Sequence, residues 1–236
     1  MFRFKKGLLT LAALAAALTL GTSQAQAGAS ITLQEVGVAG PTTIPLIVLG
    51  GVYATGPIVF GDYQINVTGN DSAPGANPIT HLQTITQNTI SVKALNLGAG
   101  DLIITVQDDS FTNLGPGSQA TLSNSLSATQ IDTGTVKAHG FVLSGGATTD
   151  VTLNAPIEPP VAGSIGNSAL ITLPGTSTFT MGNVATVHGL VVGATDNFTV
   201  TTTLAVPAPA GFVLALAGLP VLGLGWLRRR SLVANA

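Results

Sequence analysis

The feature that most limits what this 236-residue chain can fold into is its punctuation. Between Gly28 and Ala205 no stretch holds a sustained 3.6-residue apolar period with helix caps. Short runs rich in Val, Ile, Thr and Phe instead alternate with clusters of Gly, Pro, Asn and Asp, the alternation of strands with turns. Candidate strands fall at 30–35, 57–67, 79–94, 102–106, 120–127, 135–143, 148–153, 168–173, 177–180, 185–192 and 197–204. Ile65 and Val67, then Ile79, Leu82, Ile85, Ile90 and Val92, suit burial on one face, with imperfect alternation in the middle. The Thr and Ser density suits exposed strand faces, where a β-branched polar side chain fits the pleat and wets the surface. With no helices to build crossovers, 28–205 is expected to be one all-β domain, an antiparallel β-sandwich or jelly roll.

Composition permits a packed core. Only 8% of residues are charged, which alone would suit disorder, but 45% are hydrophobic. There is no Cys, which removes disulfides and thiolate zinc sites. The net charge of −2 is divided by region. Arg3, Lys5, Lys6, Arg228, Arg229 and Arg230 lie at the ends. All ten acids lie between Glu35 and Asp196 with only Lys93 and Lys137, so that segment carries −8. Such a field repels phosphate backbones, and no nucleic-acid partner is expected.

The two ends read as addresses. Residues 1–27 place three cations before an apolar run from Leu8 to Leu20, then small residues ending Ala25-Gln26-Ala27. That is the layout of a signal peptide cleaved after Ala27, with Ala29 as the alternative and Ala25 completing the small-residue site. The run would span about 20 Å as a helix, too short to cross a hydrocarbon core comfortably. At the other end Val206-Pro207-Ala208-Pro209 is a stiff spacer, followed by an apolar span at 212–227 and by Arg228, Arg229 and Arg230. Sixteen helical residues reach about 24 Å, enough for a single transmembrane helix once arginines snorkel. The positive-inside rule places the arginines and the short 231–236 tail in the cytoplasm, and the β domain outside.

This tripartite tail over 206–230 resembles a PEP-CTERM sorting signal. The usual motif has Glu between the prolines, where this chain has Ala208. The resemblance implies processing by an exosortase-like enzyme in the membrane of an exopolysaccharide-producing bacterium. It covers only the tail. Leu173-Pro174-Gly175-Thr176 resembles part of a sortase motif, but it lies far from the apolar span and reads as a Pro-Gly turn.

Few residues suggest chemistry. Asp101, Asp108 and Asp109 are weak calcium candidates without the regular ligand spacing, and Asp108-Asp109-Ser110 suits a turn after a strand. His81, His139 and His188 are too widely spaced for an ordinary zinc site. No nucleophile elbow, P-loop or zinc-protease motif occurs, and only Glu35 and Glu158 are glutamates. Tyr53, Phe60 and Tyr63 could stack on a sugar, but in one regular strand Phe60 and Tyr63 point to opposite faces, which suits core packing with one exposed ring. The sequons at Asn66, Asn70 and Asn197 would matter in a eukaryote and read as chance in a bacterium. His139-Gly140-Phe141 and His188-Gly189-Leu190 echo each other, as two similar hairpins or by shared use of β-forming residues.

The expectation is therefore an exported, non-enzymatic, cofactor-free structural protein of the cell surface or extracellular matrix. Its partners would be the membrane through the C-terminal helix, an exosortase-like enzyme and exopolysaccharide. The alternative is a carbohydrate- or calcium-binding adhesin.

Overall fold

The computed structural model describes residues 28–37, 40–49, 51–72, 82–112, 119–144, 146–152, 156–158, 162–173 and 178–205. The segment 1–27 expected as a signal peptide, the tail at 206–236 with its expected membrane span, His81 and the turn expected at Pro174-Gly175 lie outside them.

Alternation dictates the architecture. In β12 (Thr195–Ala205) every second side chain is buried, and β7 (Gln119–Ile131) repeats the pattern over most of its length. A strand with one apolar face must lay it on another sheet, and two six-stranded sheets do this here. Sheet A contains β1 (Ser30–Glu35), β2 (Thr42–Pro45), β6 (Leu102–Thr112), β8 (Thr135–Ser144), β9 (Ala147–Thr152) and β11 (Thr178–His188), ordered β2-β1-β6-β11-β8-β9. Sheet B contains β3 (Val52–Phe60), β4 (Tyr63–Asp71), β5 (Leu82–Ala94), β7, β10 (Gly163–Thr172) and β12, ordered β10-β7-β12-β5-β4-β3. Every pairing is antiparallel.

From β5 onward the order is that of a jelly roll. β12 lies between β5 and β7, β11 lies between β6 and β8, and β10 and β9 close one side of the two sheets. β1 to β4 widen the sandwich on the other side. Ile31, Leu33, Ile65, Ile85, Ile104, Leu122, Phe198 and Leu204 fill the space between the sheets, and Phe111 stacks on Phe179 with centroids 5.8 Å apart.

Several strand assignments change. The run at 57–67 is two strands, because Gly61 at φ 54° and Asp62 form a tight hairpin turn between β3 and β4. Phe60 and Tyr63 consequently pair across that hairpin on one face, rather than pointing to opposite faces of one strand. β6 runs on to Thr112, so Asp108-Asp109 lies within a strand. Asp108 Oδ1 does accept the Ser110 N–H at 2.7 Å, but inside an irregularity where β11 shifts register between Phe179 and Met181. The separate strands at 177–180 and 185–192 merge into one, β11, because Gly182 pairs with Phe141, whose ring covers the glycine; it ends at His188 and leaves 189–192 outside the strand. β2 and the first half of β3 escaped notice behind Pro41, Pro45 and Gly51. The echo is not structural: Gly140 is mid-strand in β8, whereas Gly189 turns at φ 71° after β11 has ended.

Strand directions put the start of β1 and the end of β12 at one pole. Ser30 pairs with Gln107 towards the end of β6, and Ala205 pairs with Thr121 near the start of β7. The opposite pole carries the turns after β1, β3, β5, β7 and β11.

Candidate functional site

Three places gather polar side chains: the loop pole, the centre of the sandwich and the outer face of sheet B. At the loop pole Glu35 is buried, and its carboxylate accepts the backbone N–H of Asp62 at 2.9 Å and of Gly100 at 3.1 Å. It thereby ties the end of β1 in sheet A to the β3–β4 turn of sheet B, and both oxygens are engaged. The Tyr63 hydroxyl donates to the Gly100 carbonyl, and burial, reinforced by the Glu35 carboxylate, pushes its pKa up to about 12. Asp196 is fully buried and accepts the Asp132 N–H at 3.0 Å, while its Oδ2 meets no donor among the described residues. Burial raises its pKa to about 6, against the opposing effect of that N–H. Asp132 itself is held below the usual carboxylate range by Gln130 and the Thr195 N–H.

The calcium candidates do not converge. Asp101 pairs with His188 at the loop pole, whereas Asp108 and Asp109 lie towards the far end of β6, about 23 Å away. Asp108 is buried near Tyr53, whose hydroxyl pKa is raised chiefly by burial and then by Asp71 and Asp108, and Asp109 is exposed. Among the described residues no three His, Asp or Glu side chains gather where they could hold a metal ion. His139 sits mid-strand in β8 and His188 at the end of β11, about 13 Å apart along the sheet. Tyr53 and Tyr63 are in the core and Phe60 is half-buried against it, so the three make no sugar-stacking face.

The outer face of sheet B is different. Register aligns its side chains in rows across the strands. Ser164, Ser127 and Thr199 form one row, Gly166, Ser125 and Thr201 the next, and Ser168, Ser123, Thr203 and Thr84 a third. Asn66, Thr68 and Asn70 of β4 continue the polar surface. Neighbours along a row stand about 4.8 Å apart and rows about 6.7 Å apart, so hydroxyl and amide groups recur as a lattice. No charged residue stands in these rows; Lys93 marks their far end, paired with Thr195 and Gln64. At β10, β7 and β12 the surface dips into a groove of about 450 Å³, lined by Ser123, Ser125, Gly166, Ser168, Thr201 and Thr203 with Asn124 and Asn167. Gly166 opens it by having no side chain, and a Cβ there would meet Asn124 O at 3.5 Å, an ordinary contact.

β5 is bulged beside this face. Thr89 has φ 51°, a conformation that β-branched residues avoid, and its N–H reaches Thr199 Oγ1 at 3.4 Å. The register of β12 on β5 shifts there, between Phe198 and Val200. Sequence reading missed the groove, although the Ser-x-Ser-x-Ser of 123–127 and the Thr-x-Thr-x-Thr of 199–203 were its visible signal.

By fold the chain belongs to the class of antiparallel jelly-roll sandwiches. No family model and no curated protein matches it. Among solved structures it is similar to infectious bursal disease virus, Gx strain, at 13% identity and TM-score 0.39, over 78% of this chain and 56% of that one. It is also similar to the adhesin domain of Epf from Streptococcus pyogenes, at 9% identity and TM-score 0.35, over 75% of this chain and 57% of that one. Against TmCBM61 in complex with β-1,4-galactotriose, identity is 8% and TM-score 0.27, over 72% and 86%. The chain spans only 19% of the enzymatically active domain of bacteriophage CBA120 tailspike protein 4, at 14% identity and TM-score 0.28, and 22% of a Clostridium thermocellum xylanase fragment.

Proposed function

We propose that this chain is a non-catalytic protein of the bacterial cell surface or extracellular matrix that holds neutral polysaccharide on the outer face of sheet B. The observation that carries this reading is the uncharged lattice of Ser, Thr and Asn side chains with its groove across β10, β7 and β12. A neutral glycan offers hydroxyl groups, each both donor and acceptor, and a face of hydroxyls and amides answers them without the desolvation cost of a charge. With no exposed aromatic ring among the described residues of the face, it would bind weakly per sugar and rely on many repeats along a polymer. Delivery falls to the ends of the chain: export through residues 1–27, then sorting through the PEP-CTERM-like tail at 206–230 by an exosortase-like enzyme. The position of Ser30 and Ala205 at one pole supports this, since a tether following Ala205 would meet the domain at a pole and not on the outer face of sheet B.

Electrophoresis through gels containing galactan or xylan, with alginate as the anionic control, tests the binding. A neutral polymer should retard the protein. Gly166→Ile, which fills the groove without backbone strain, should weaken retardation about tenfold, roughly 1.4 kcal/mol, with the melting temperature unchanged. Equal migration with and without every neutral polymer would overturn the reading.

A further inference from the structure

A sheet edge presents unpaired N–H and C=O groups, and natural proteins blunt such edges with shortness, proline, charge or bulges. Three of the four edges here are blunted. β2 is four residues long and ends on Pro45. β3 contains Pro57 and shifts register between Ala54 and Pro57. β9 is six residues long and carries the exposed Asp150.

β10 has none of these protections. It pairs with β7 in unbroken register from Gly163↔Ala128 to Thr172↔Gln119, and contains no charge and no proline. Among the described residues its other side carries no ladder. Its side chains from Gly163 to Ala169 are mostly small, so little shields the backbone. Asn167 Nδ2 donates to the Thr152 carbonyl at 3.0 Å, which secures the strand to sheet A through a side chain. Leu170 stands 65% exposed on the outer face.

We propose that β10 is a docking edge at which a second copy of this chain adds its own β10 antiparallel, joining two sheets B into one twelve-stranded sheet. Antiparallel addition along all ten residues is easiest for a strand that brings neither charge nor bulk against the small side chains of β10, and β10 itself is such a strand. A two-fold axis makes the contact isologous, so it closes at two copies. The domain's negative charge does not oppose it locally, because β10 and its neighbour β7 carry no acid. The pairing would place two grooves side by side on one surface.

Because the chain has no Cys, single cysteines report this contact cleanly. They are placed one at a time from 164 to 170 in the full-length protein, with Val59→Cys on β3 as control. In a two-fold pair only the residue on the axis faces its own copy, at a Cα separation of about 5 Å that a disulfide spans. One residue to either side the separation exceeds about 8 Å. One position should therefore oxidise to a dimer at least tenfold faster than its neighbours and the control. Adding Ala169→Lys should remove that cross-link while the protein still melts cooperatively. Uniform rates along β10, or none above the Val59→Cys control, would overturn the proposal.

Discussion

Thr202 of sheet B occupies the space that a methyl group on Gly140 of sheet A would need, its Oγ1 2.6 Å from where that Cβ would stand. Thr202 in turn donates to Asn124 Oδ1 at 3.2 Å, and both polar residues are buried at the centre of the sandwich. The sheets meet here through a glycine, so their separation is set by a side chain that is absent. Gly140→Ala should destabilise the domain by about 2–3 kcal/mol, because Asn124 and Thr202 must both give way in a close-packed interior. Urea denaturation checks this; a loss under about 0.5 kcal/mol would show that the interface yields easily.

Asp196 gives the domain a pH dependence opposite to that of an ordinary salt-bridged carboxylate. Its pKa is raised from 3.8 to about 6 on folding. The folded state therefore keeps a proton that the unfolded state has released, and stability is full below about pH 4 and lost as pH rises through 6. The loss should amount to roughly 2–3 kcal/mol. Asp132, whose pKa is lowered, acts only below that window, and Tyr63 far above it. Asp196→Asn keeps an acceptor for the Asp132 N–H and should flatten the slope between pH 4 and 7 in thermal melts. An unchanged slope would assign it to another group.

Thr89 holds the β5 bulge in a left-handed conformation that asparagine adopts more readily. Thr89→Asn should stabilise the protein by about 1 kcal/mol. Differential scanning calorimetry would show this as a melting temperature higher by a few degrees. A lower one would mean that the threonine side chain secures the bulge.

Sorting through the tail is tested by intact mass after fractionation of the native protein. A mature form beginning at Gly28 and ending near Pro209 is the expected product. A membrane-bound form ending at Ala236 would leave a plain one-span anchor.

Strands whose burial follows their own alternation were legible in the sequence. The run 197–204 gave β12 nearly whole, because apolar Phe198, Val200 and Leu204 recur on one face, with the buried Thr202 as the one polar residue among them. Features fixed by partners distant in the chain were not. Nothing near Gly182 announces that Phe141 will cover it, so a continuous strand read as two. Nothing near Glu35 announces that its carboxylate will take N–H groups from Asp62 and Gly100. The hydroxyl face was half legible: each Ser or Thr alternation could be seen, but the groove needs 123–125, 166–168 and 201–203 in one register, which only the topology supplies.

The place of β12 has a mechanical consequence. β12 ends at Ala205, still laddered on both sides, to β5 and to β7. Tension on that end, directed along the strand, loads both ladders in shear, so many hydrogen bonds share the force instead of breaking one after another. An edge strand in the same place would peel. A protein tethered at 206 while its sheet grips a polymer would be pulled along the direction in which its last strand resists most.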